Sequence, residues 1–190
     1  MRIAYIVAIA LLVGCANETP PNSTSTNATP LVSPEMLEAE KQRQAQEREQ
    51  TAELTRKMLK VDIPGQFKPH SNMSLGLGHM ASYLGDDGAT LMFWRMNDVD
   101  AAKRVAEQVP EQIDDEDIKE VSHTTKTYTI NGQPSEFHFR EMSGVYTNAK
   151  FVVFGGAFQN RSGAWLAISA QMPVSGYDES EIDSMIRSIE

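Results

Sequence analysis

The chain has a single cysteine, Cys15, among its 190 residues. One cysteine excludes an intramolecular disulfide and a metal cluster built on several thiolates. Basic residues are also scarce, since 17 lysines and arginines stand against 26 acidic residues for a net charge of −9. Because phosphate binding requires a basic surface, this charge argues against nucleic acid as a partner, and equally against attachment to anionic lipid by charge alone.

A hydrophobic run long enough to cross a membrane is missing from the start of the chain. The apolar run Ile3–Val13 has eleven residues, whereas a transmembrane helix needs about 20. It follows Arg2 and ends at the small residue Gly14, which is the pattern of a secretion signal. We therefore expect residues 1–14 to be a signal peptide.

The end of this run resembles the lipobox of bacterial lipoproteins, whose four positions are here Leu12, Val13, Gly14 and Cys15. The resemblance implies cleavage before Cys15 and attachment of a diacylglycerol and an N-acyl chain, such as palmitate, to that residue. Several acyl chains anchor a protein durably, because each buried methylene contributes about 0.8 kcal/mol. The residue after the cysteine is Ala16, whereas enteric lipoproteins that stay in the inner membrane have Asp at this position. The resemblance therefore implies that the protein is anchored in the outer membrane and faces the periplasm.

Two segments of contrasting composition separate the cysteine from the rest of the chain. Residues 15–34 are rich in Pro, Ser, Thr and Asn and have too little to bury to fold, which predicts a disordered tether. Residues 35–60 contain no Gly or Pro and predict a charged helix, with Ser33 as the N-cap and Pro34 at the first helical position. Three pairs at helical spacing should support it: Glu38/Lys41, Glu40/Arg43 and Glu53/Lys57.

This helix lacks a sustained heptad pattern, so a coiled-coil partner is the weaker of two interpretations. The favoured one is a solvated spacer that docks only its last turns on the following domain, through Leu54, Met58 and Leu59.

Residues 61–190 are predicted to form an α+β domain. Alternating runs on either side of Asn131–Gly132 predict a hairpin with a type I′ turn, and a second hairpin joins residues 150–159 and 164–172. Further strands are predicted at Ser74–Leu84 and Thr90–Met96. A helix over 97–109 should be capped by Asn97 or Asp98 and ended by Pro110. A last helix over 177–190 should start with a capping box formed by Asp178 and Glu181. The side chains that this last helix should bury are Ile182, Met185, Ile186 and Ile189. This order favours an antiparallel twisted sheet of about six strands covered by helices.

The layout of residues 61–190 is similar to the PsbP/Mog1-type fold. The similarity lies in "VDIPGQF" at the domain start, the paired hairpins, the strand containing Trp165 and the final helix. That fold serves as a binding or assembly accessory in photosystem and nuclear-transport settings. The resemblance implies an accessory role, but fold alone does not transfer function, and no functional residue carries over.

Motifs for catalysis or metal binding are missing. The four histidines, His70, His79, His123 and His138, have none of the short spacings of a zinc site. There is no G-x-S-x-G nucleophile motif, and the one cysteine is assigned to lipid. We therefore predict no catalytic residue, no metal ligand and no cofactor.

Several side-chain groups allow a functional interpretation beside a structural one. Glu136, His138 and Arg140 share one strand face opposite Phe137 and Phe139, which favours a solvent-exposed hairpin face over a polar binding site. Four methionines allow either core packing, which we favour, or a soft groove for a peptide or lipid: Met73, Met80, Met92 and Met96. The acidic stretch Ile113–Glu120 lacks the Gly of a calcium loop and predicts a solvated connection, while Leu84–Gly88 predicts a turn.

These observations predict a membrane-anchored envelope lipoprotein with a non-enzymatic binding or assembly-accessory domain and an unidentified envelope protein as partner. The alternative is a small-ligand-binding module of the periplasm, which would use the sheet face around His138 and Arg140 or a methionine-lined cleft. A third hypothesis is an enzyme with a scattered site, in which His79, His123 and His138 are the residues to replace.

Overall fold

The computed structural model describes residues 33–75, 78–111, 118–144 and 149–190. The predicted signal peptide, the lipobox with Cys15, the tether up to residue 32 and the acidic residues Asp114–Asp117 lie outside the described residues. In the described part of the chain, no helix is both long enough and apolar enough to span a bilayer.

In the part of the chain that the structure describes, seven strands and three α-helices give an α+β fold, as predicted. The strands are β1 (Phe67–Leu75), β2 (Gly78–Gly85), β3 (Thr90–Met96), β4 (Ile118–Ile130), β5 (Gln133–Gly144), β6 (Lys150–Gln159) and β7 (Trp165–Pro173). The helices are α1 (Pro34–Met58), α2 (Val99–Glu111) and α3 (Glu179–Arg187), and a 3-10 turn at Val174–Gly176 precedes α3. The three ion pairs predicted along α1 are formed, at 3.9, 2.7 and 2.7 Å.

The strands form one antiparallel sheet in the order β1-β2-β3-β7-β6-β5-β4. The predicted count of about six strands is one too low, because β1 was not recognised. Pro69 and the register shift between Pro69 and Ser71 interrupt its alternation. The predicted single strand Ser74–Leu84 is correspondingly wrong, since β1 ends at Leu75 and β2 begins at Gly78.

The hairpin of β4 and β5 has the predicted turn. Asn131 and Gly132 have φ of 51° and 77°, and positive φ at both central residues is what a type I′ turn requires. From this turn the register runs through both strands, so that Thr125 pairs with His138 and His123 with Arg140.

The last two helices begin close to the predicted positions. The Asp98 carboxylate accepts a hydrogen bond from the Ala101 N–H at 2.7 Å at the start of α2, and Asp178 accepts from the N–H groups of Ser180 and Glu181 at the start of α3. The end of α2 lies two residues beyond the predicted Val109, and the prediction that Pro110 ends the helix is wrong, because the helix continues through Pro110 to Glu111.

The face of the sheet covered by α3 and the end of α1, called the inner face, holds the main core. Aromatic and aliphatic side chains from all seven described strands meet there. The four core residues predicted for the last helix are all buried, although Ile189 lies just beyond the end of α3. The largest fully buried side chains are Tyr128, Phe93, Phe137, Phe154, Phe158, Leu91, Ile130, Leu166, Ile168, Met172, Ile182 and Met185.

The end of α1 docks on β1 and β2 with polar as well as apolar side chains. Met58 and Leu59 join the core as predicted, and Leu54 packs against it. Thr51 and Thr55 are also buried: Thr51 Oγ1 accepts from Asn72 Nδ2 at 3.1 Å, and Thr55 Oγ1 accepts from the Tyr83 hydroxyl at 2.8 Å. By contrast, none of residues 34–50 is buried. Sequence reasoning missed the two threonines because neither is apolar.

The opposite face of the sheet, called the α2 face, is covered in the middle by α2. Ala102 and Ala106 of the helix pack with Ala167 of β7, beside Trp94 and Trp165. The approach is closest at Gly155 of β6, where an added Cβ would lie 2.3 Å from the carbonyl oxygen of Ala106. Only a residue without a side chain fits between helix and strand at this point.

Replacing Gly155 by Ala should therefore destabilise the fold, by about 1–3 kcal/mol, because the helix backbone must move away from the sheet. Urea unfolding monitored by circular dichroism measures the change. Gly65→Ala is the matched control, since an added Cβ there meets nothing within 4 Å. Equal stability of the two variants would contradict the close packing of α2 on β6.

Candidate functional site

The α2 face has two flanks that α2 does not cover. Strand pairing places Met80 beside Trp94, Trp94 beside Ala167, and His138 beside Gly155, so these residues share one face because side chains alternate along a strand. Helix α2 packs mainly on β6 and β7. Apolar side chains on β1–β3 therefore lie on one flank, and polar side chains on β4 and β5 lie on the other.

The apolar flank, called the methionine surface, consists of Met73, Met80, Leu84 and Met92. Met73 of β1 pairs with Met80 of β2, and Met92 of β3 pairs with Ser82. Met73 is 48% exposed and Leu84 36% exposed, while Met80 and Met92 are half-buried. The expectation of core packing is wrong for Met73. Met96 differs from the other three methionines, since it packs with the α2 cluster.

The polar flank, called the histidine cluster, consists of His123, His138, Arg140 and Glu120. His123 Nε2 lies 3.3 Å from His138 Nδ1, which is also 3.2 Å from Thr125 Oγ1. The two imidazole ring centroids are 5.5 Å apart. His123 is exposed and His138 half-buried, so the cluster is open to solvent on one side.

Arg140 completes the cluster from β5. Its Nη1 forms an ion pair with Glu120 Oε2 at 3.4 Å, and its Nε is buried without a hydrogen-bond partner. Glu120 belongs to β4, which begins at Ile118. The prediction that the whole stretch Ile113–Glu120 is a solvated connection is therefore wrong for its last three residues. Glu136 lies on the same face and is exposed, as predicted.

Sequence reasoning grouped Glu136, His138 and Arg140 but missed His123 and Glu120. The signal in the sequence that could have found His123 is the register of the hairpin. With Asn131–Gly132 at the turn, the residue numbers of any two paired positions have the same sum. This places His123 opposite Arg140 and diagonal to His138. The other two histidines lie elsewhere. His79 is on β2, its Nδ1 2.9 Å from Ser74 Oγ, and His70 is on β1.

No group of three or more His, Cys, Asp or Glu side chains with metal-binding geometry is found among the described residues.

A groove of about 380 Å³ lies beside the end of α1, between Leu59, Ile63 and Tyr83. Two cations near it are already engaged: Arg56 Nε donates to the Ala52 carbonyl, and Lys60 Nζ donates to Glu190. Among the described residues, the buried side-chain polar atom that has no hydrogen-bond partner, Arg140 Nε, lies in the histidine cluster.

A second polar group joins α3 to β4 on the inner face. Lys126 Nζ donates to Glu179 Oε1 at 2.6 Å and to Asp183 Oδ1 at 2.9 Å, and the Tyr128 hydroxyl donates to the same Asp183 oxygen at 2.5 Å. Burial alone raises the pKa of Asp183, but the Tyr128 and Lys126 donors outweigh it and hold this pKa below its ordinary value. Burial and the neighbouring Asp183 raise the pKa of the Tyr128 hydroxyl. Because the donors and acceptors of this group are paired with one another, we assign it a structural role, which is to hold α3 against β4.

Replacing Asp183 by Asn should lower the free energy of unfolding by about 1–3 kcal/mol at neutral pH, because the buried Tyr128 hydroxyl and the partly buried Lys126 ammonium lose an ionised acceptor. Since the folded-state pKa of Asp183 is lowered, its stabilisation is present above the unfolded pKa of about 3.9 and is lost as the pH falls through the folded value. The difference between wild type and D183N in urea unfolding should therefore shrink as the pH falls below about 4.

Asp86→Asn provides the control for this experiment. Asp86 also pairs with a lysine, Lys68, but is 79% exposed, and surface ion pairs contribute little. A difference between D183N and wild type that stays constant down to the lowest pH would contradict the role given to the carboxylate.

Comparisons with known proteins assign the chain to no family. No protein-family model matches it, and no curated protein matches it. The similarity to the PsbP/Mog1-type fold therefore stays a prediction, and the function rests on the residues themselves.

Proposed function

We propose that this protein is a lipid-anchored lipoprotein of the bacterial cell envelope whose domain is a non-enzymatic binding or assembly accessory for an envelope protein. The observation that supports the binding role is the methionine surface. Unbranched, polarisable methionine side chains adapt to partners of different shape, and they recur at binding surfaces for that reason. Met73 and Met80 pair across two strands at this surface, so the sheet backbone holds it in place.

The chemistry around the methionine surface favours an apolar segment of a protein as its partner. On the same face, the nearest positions on β2 and β3 are neutral: Ser82 pairs with Ser71 and Met92, and Thr90 pairs with Leu84. Lys68 of β1 also pairs with Leu84, and its charge is balanced by the Asp86 carboxylate at 2.9 Å. A membrane surface is disfavoured because the chain has a net charge of −9, which is repelled by anionic lipid.

Helix α1 supports the anchored part of the proposal. Residues 34–50 are solvent-accessible along their whole length, and 17 helical residues extend for about 25 Å. A spacer of this kind lets a domain reach a partner at a distance from its attachment point. The lipobox resemblance supplies that point, Cys15, and the following Ala16 is the basis for proposing the outer membrane, facing the periplasm.

A small-ligand-binding module remains the second candidate, and the histidine cluster is the specific observation that favours it. The buried, unpartnered Nε of Arg140 and the two adjacent imidazoles offer polar groups to a ligand that fits above β4 and β5.

Cys15→Ser should abolish lipid attachment, because a serine hydroxyl does not replace the thiol to which the diacylglycerol is joined. In cells fed an alkyne-tagged palmitate, wild type should carry the label and sediment with membranes, and C15S should carry none. Thr24→Ala, in the same predicted tether, is the matched control and should behave like wild type. Labelling of C15S at the wild-type level would overturn the anchor.

A photo-reactive amino acid at position 80 should cross-link to one defined envelope protein in intact cells. The same residue at position 36 is the matched control, because Met36 is an exposed methionine (64%) on α1, away from the sheet. Met73→Asp should reduce the cross-link at position 80, since it places a charge in the apolar contact. The same abundant proteins captured at positions 80 and 36 would contradict the binding surface.

A further inference from the structure

Two imidazole nitrogens from different strands face each other in the histidine cluster. His123 Nε2 of β4 and His138 Nδ1 of β5 are 3.3 Å apart. In a neutral imidazole one nitrogen carries the hydrogen and the other carries a lone pair. The two facing nitrogens can therefore both direct lone pairs into the space between them, with their hydrogens on the remote ring nitrogens.

The separation of these nitrogens matches two ligands on one tetrahedral zinc ion. Zinc–nitrogen bonds of about 2.0–2.1 Å at a tetrahedral angle of about 109° put two nitrogens about 3.3 Å apart. Ligands at the right angle of a square-planar ion would be about 2.9 Å apart. The observed 3.3 Å therefore fits the tetrahedral arrangement without moving either strand.

The surroundings of the pair are compatible with a cation. Thr125 places its hydroxyl 3.2 Å from His138 Nδ1. Two carboxylates on the same face, Glu120 and Glu136, outnumber the one guanidinium, and Arg140 directs its Nη1 to Glu120 at 3.4 Å. From β6 the face contributes Val153 and Gly155, which carry no charge.

We propose that His123 and His138 form a binding site for a divalent transition-metal ion, with Zn²⁺ as the ion that fits best. The two histidines supply two ligands, and water completes the coordination. Since no set of three or more potential ligand residues is found in the described part of the chain, the ion is held openly and exchanges with solvent. This site does not depend on the lipid anchor or on the methionine surface.

The hairpin prepares the site before the ion arrives. His123 and His138 lie on neighbouring strands whose register the Asn131–Gly132 turn sets. Imidazole nitrogen is a good ligand for Zn²⁺, Cu²⁺ and Ni²⁺, whereas Ca²⁺ and Mg²⁺ take oxygen ligands. The site should therefore bind Zn²⁺ and ignore Ca²⁺.

Isothermal titration of the full chain with ZnCl₂ at neutral pH tests the proposal. Every sample carries Cys15→Ser and no polyhistidine tag, so that neither a free thiol nor a tag competes for the ion. We expect one saturable Zn²⁺ per chain and none with CaCl₂. His123→Ala should weaken binding by at least about tenfold, because a single imidazole remains, and Zn²⁺ should raise the Tm of wild type but not of H123A.

His79→Ala is the matched control, because His79 is also on a strand and also contacts a hydroxyl, but has no second imidazole beside it. Its Zn²⁺ affinity should equal that of wild type. His123 is exposed, so the Tm of H123A without metal should stay at the wild-type value and separate a lost site from a damaged fold. Absence of one-to-one binding, or equal affinities of H123A and H79A, would overturn the proposal.

Discussion

The width of the sheet is the constraint from which the rest of the organisation follows. Seven strands spaced about 4.8 Å apart make a sheet about 29 Å across, whereas a helix is about 10–12 Å in diameter. Two helices share the inner face, and α2 alone packs on the other. Because one helix cannot cover such a face, both flanks of it stay open to solvent, and each has acquired its own chemistry: methionines on β1–β3 and imidazoles on β4 and β5.

The inner face is held at both ends by polar contacts as well as by its apolar core. At one end the Tyr83 hydroxyl meets Thr55 of α1, and at the other Lys126 and Tyr128 meet Asp183 of α3. Buried hydrogen bonds have a direction, so they fix the position of a helix along the sheet, which apolar contact alone does not. The result is an inner face on which the helices have fixed positions, while two accessible surfaces lie on the opposite side of the sheet.

Local sequence patterns predicted most of the fold. The Asn131–Gly132 turn, the second hairpin, the Asp178 cap and the apolar residues of α3 were all readable, because each depends on residues close in sequence. Strand β1 was not, since Pro69 and a register shift hide its alternation. The docking of α1 was readable at Met58 and Leu59, but not at Thr51 and Thr55, whose burial depends on Asn72 and Tyr83 far along the chain.

The candidate sites show the same division. The shared face of Glu136, His138 and Arg140 follows from alternation within one strand and was predicted. The contact of His123 with His138 depends on pairing between two strands, so it does not follow from spacing within one strand. It follows only when the register that the Asn131–Gly132 turn sets is carried across the hairpin. The exposure of Met73 could not be predicted either, because it depends on where α2 ends up on the sheet, and that position is set by the gap at Gly155.

The two halves of helix α1 differ in how they tolerate insertions, and this matters for the proposed role of the helix as a spacer. Its last turns are fixed to the sheet from Thr51 onward, so residues cannot be added there without disrupting the core. Nearer Pro34 none of the helical residues is buried, and each added residue moves the start of the helix about 1.5 Å farther along its axis. The proposed reach of the domain can therefore be lengthened in small steps at this end, while the packing of the sheet stays unchanged.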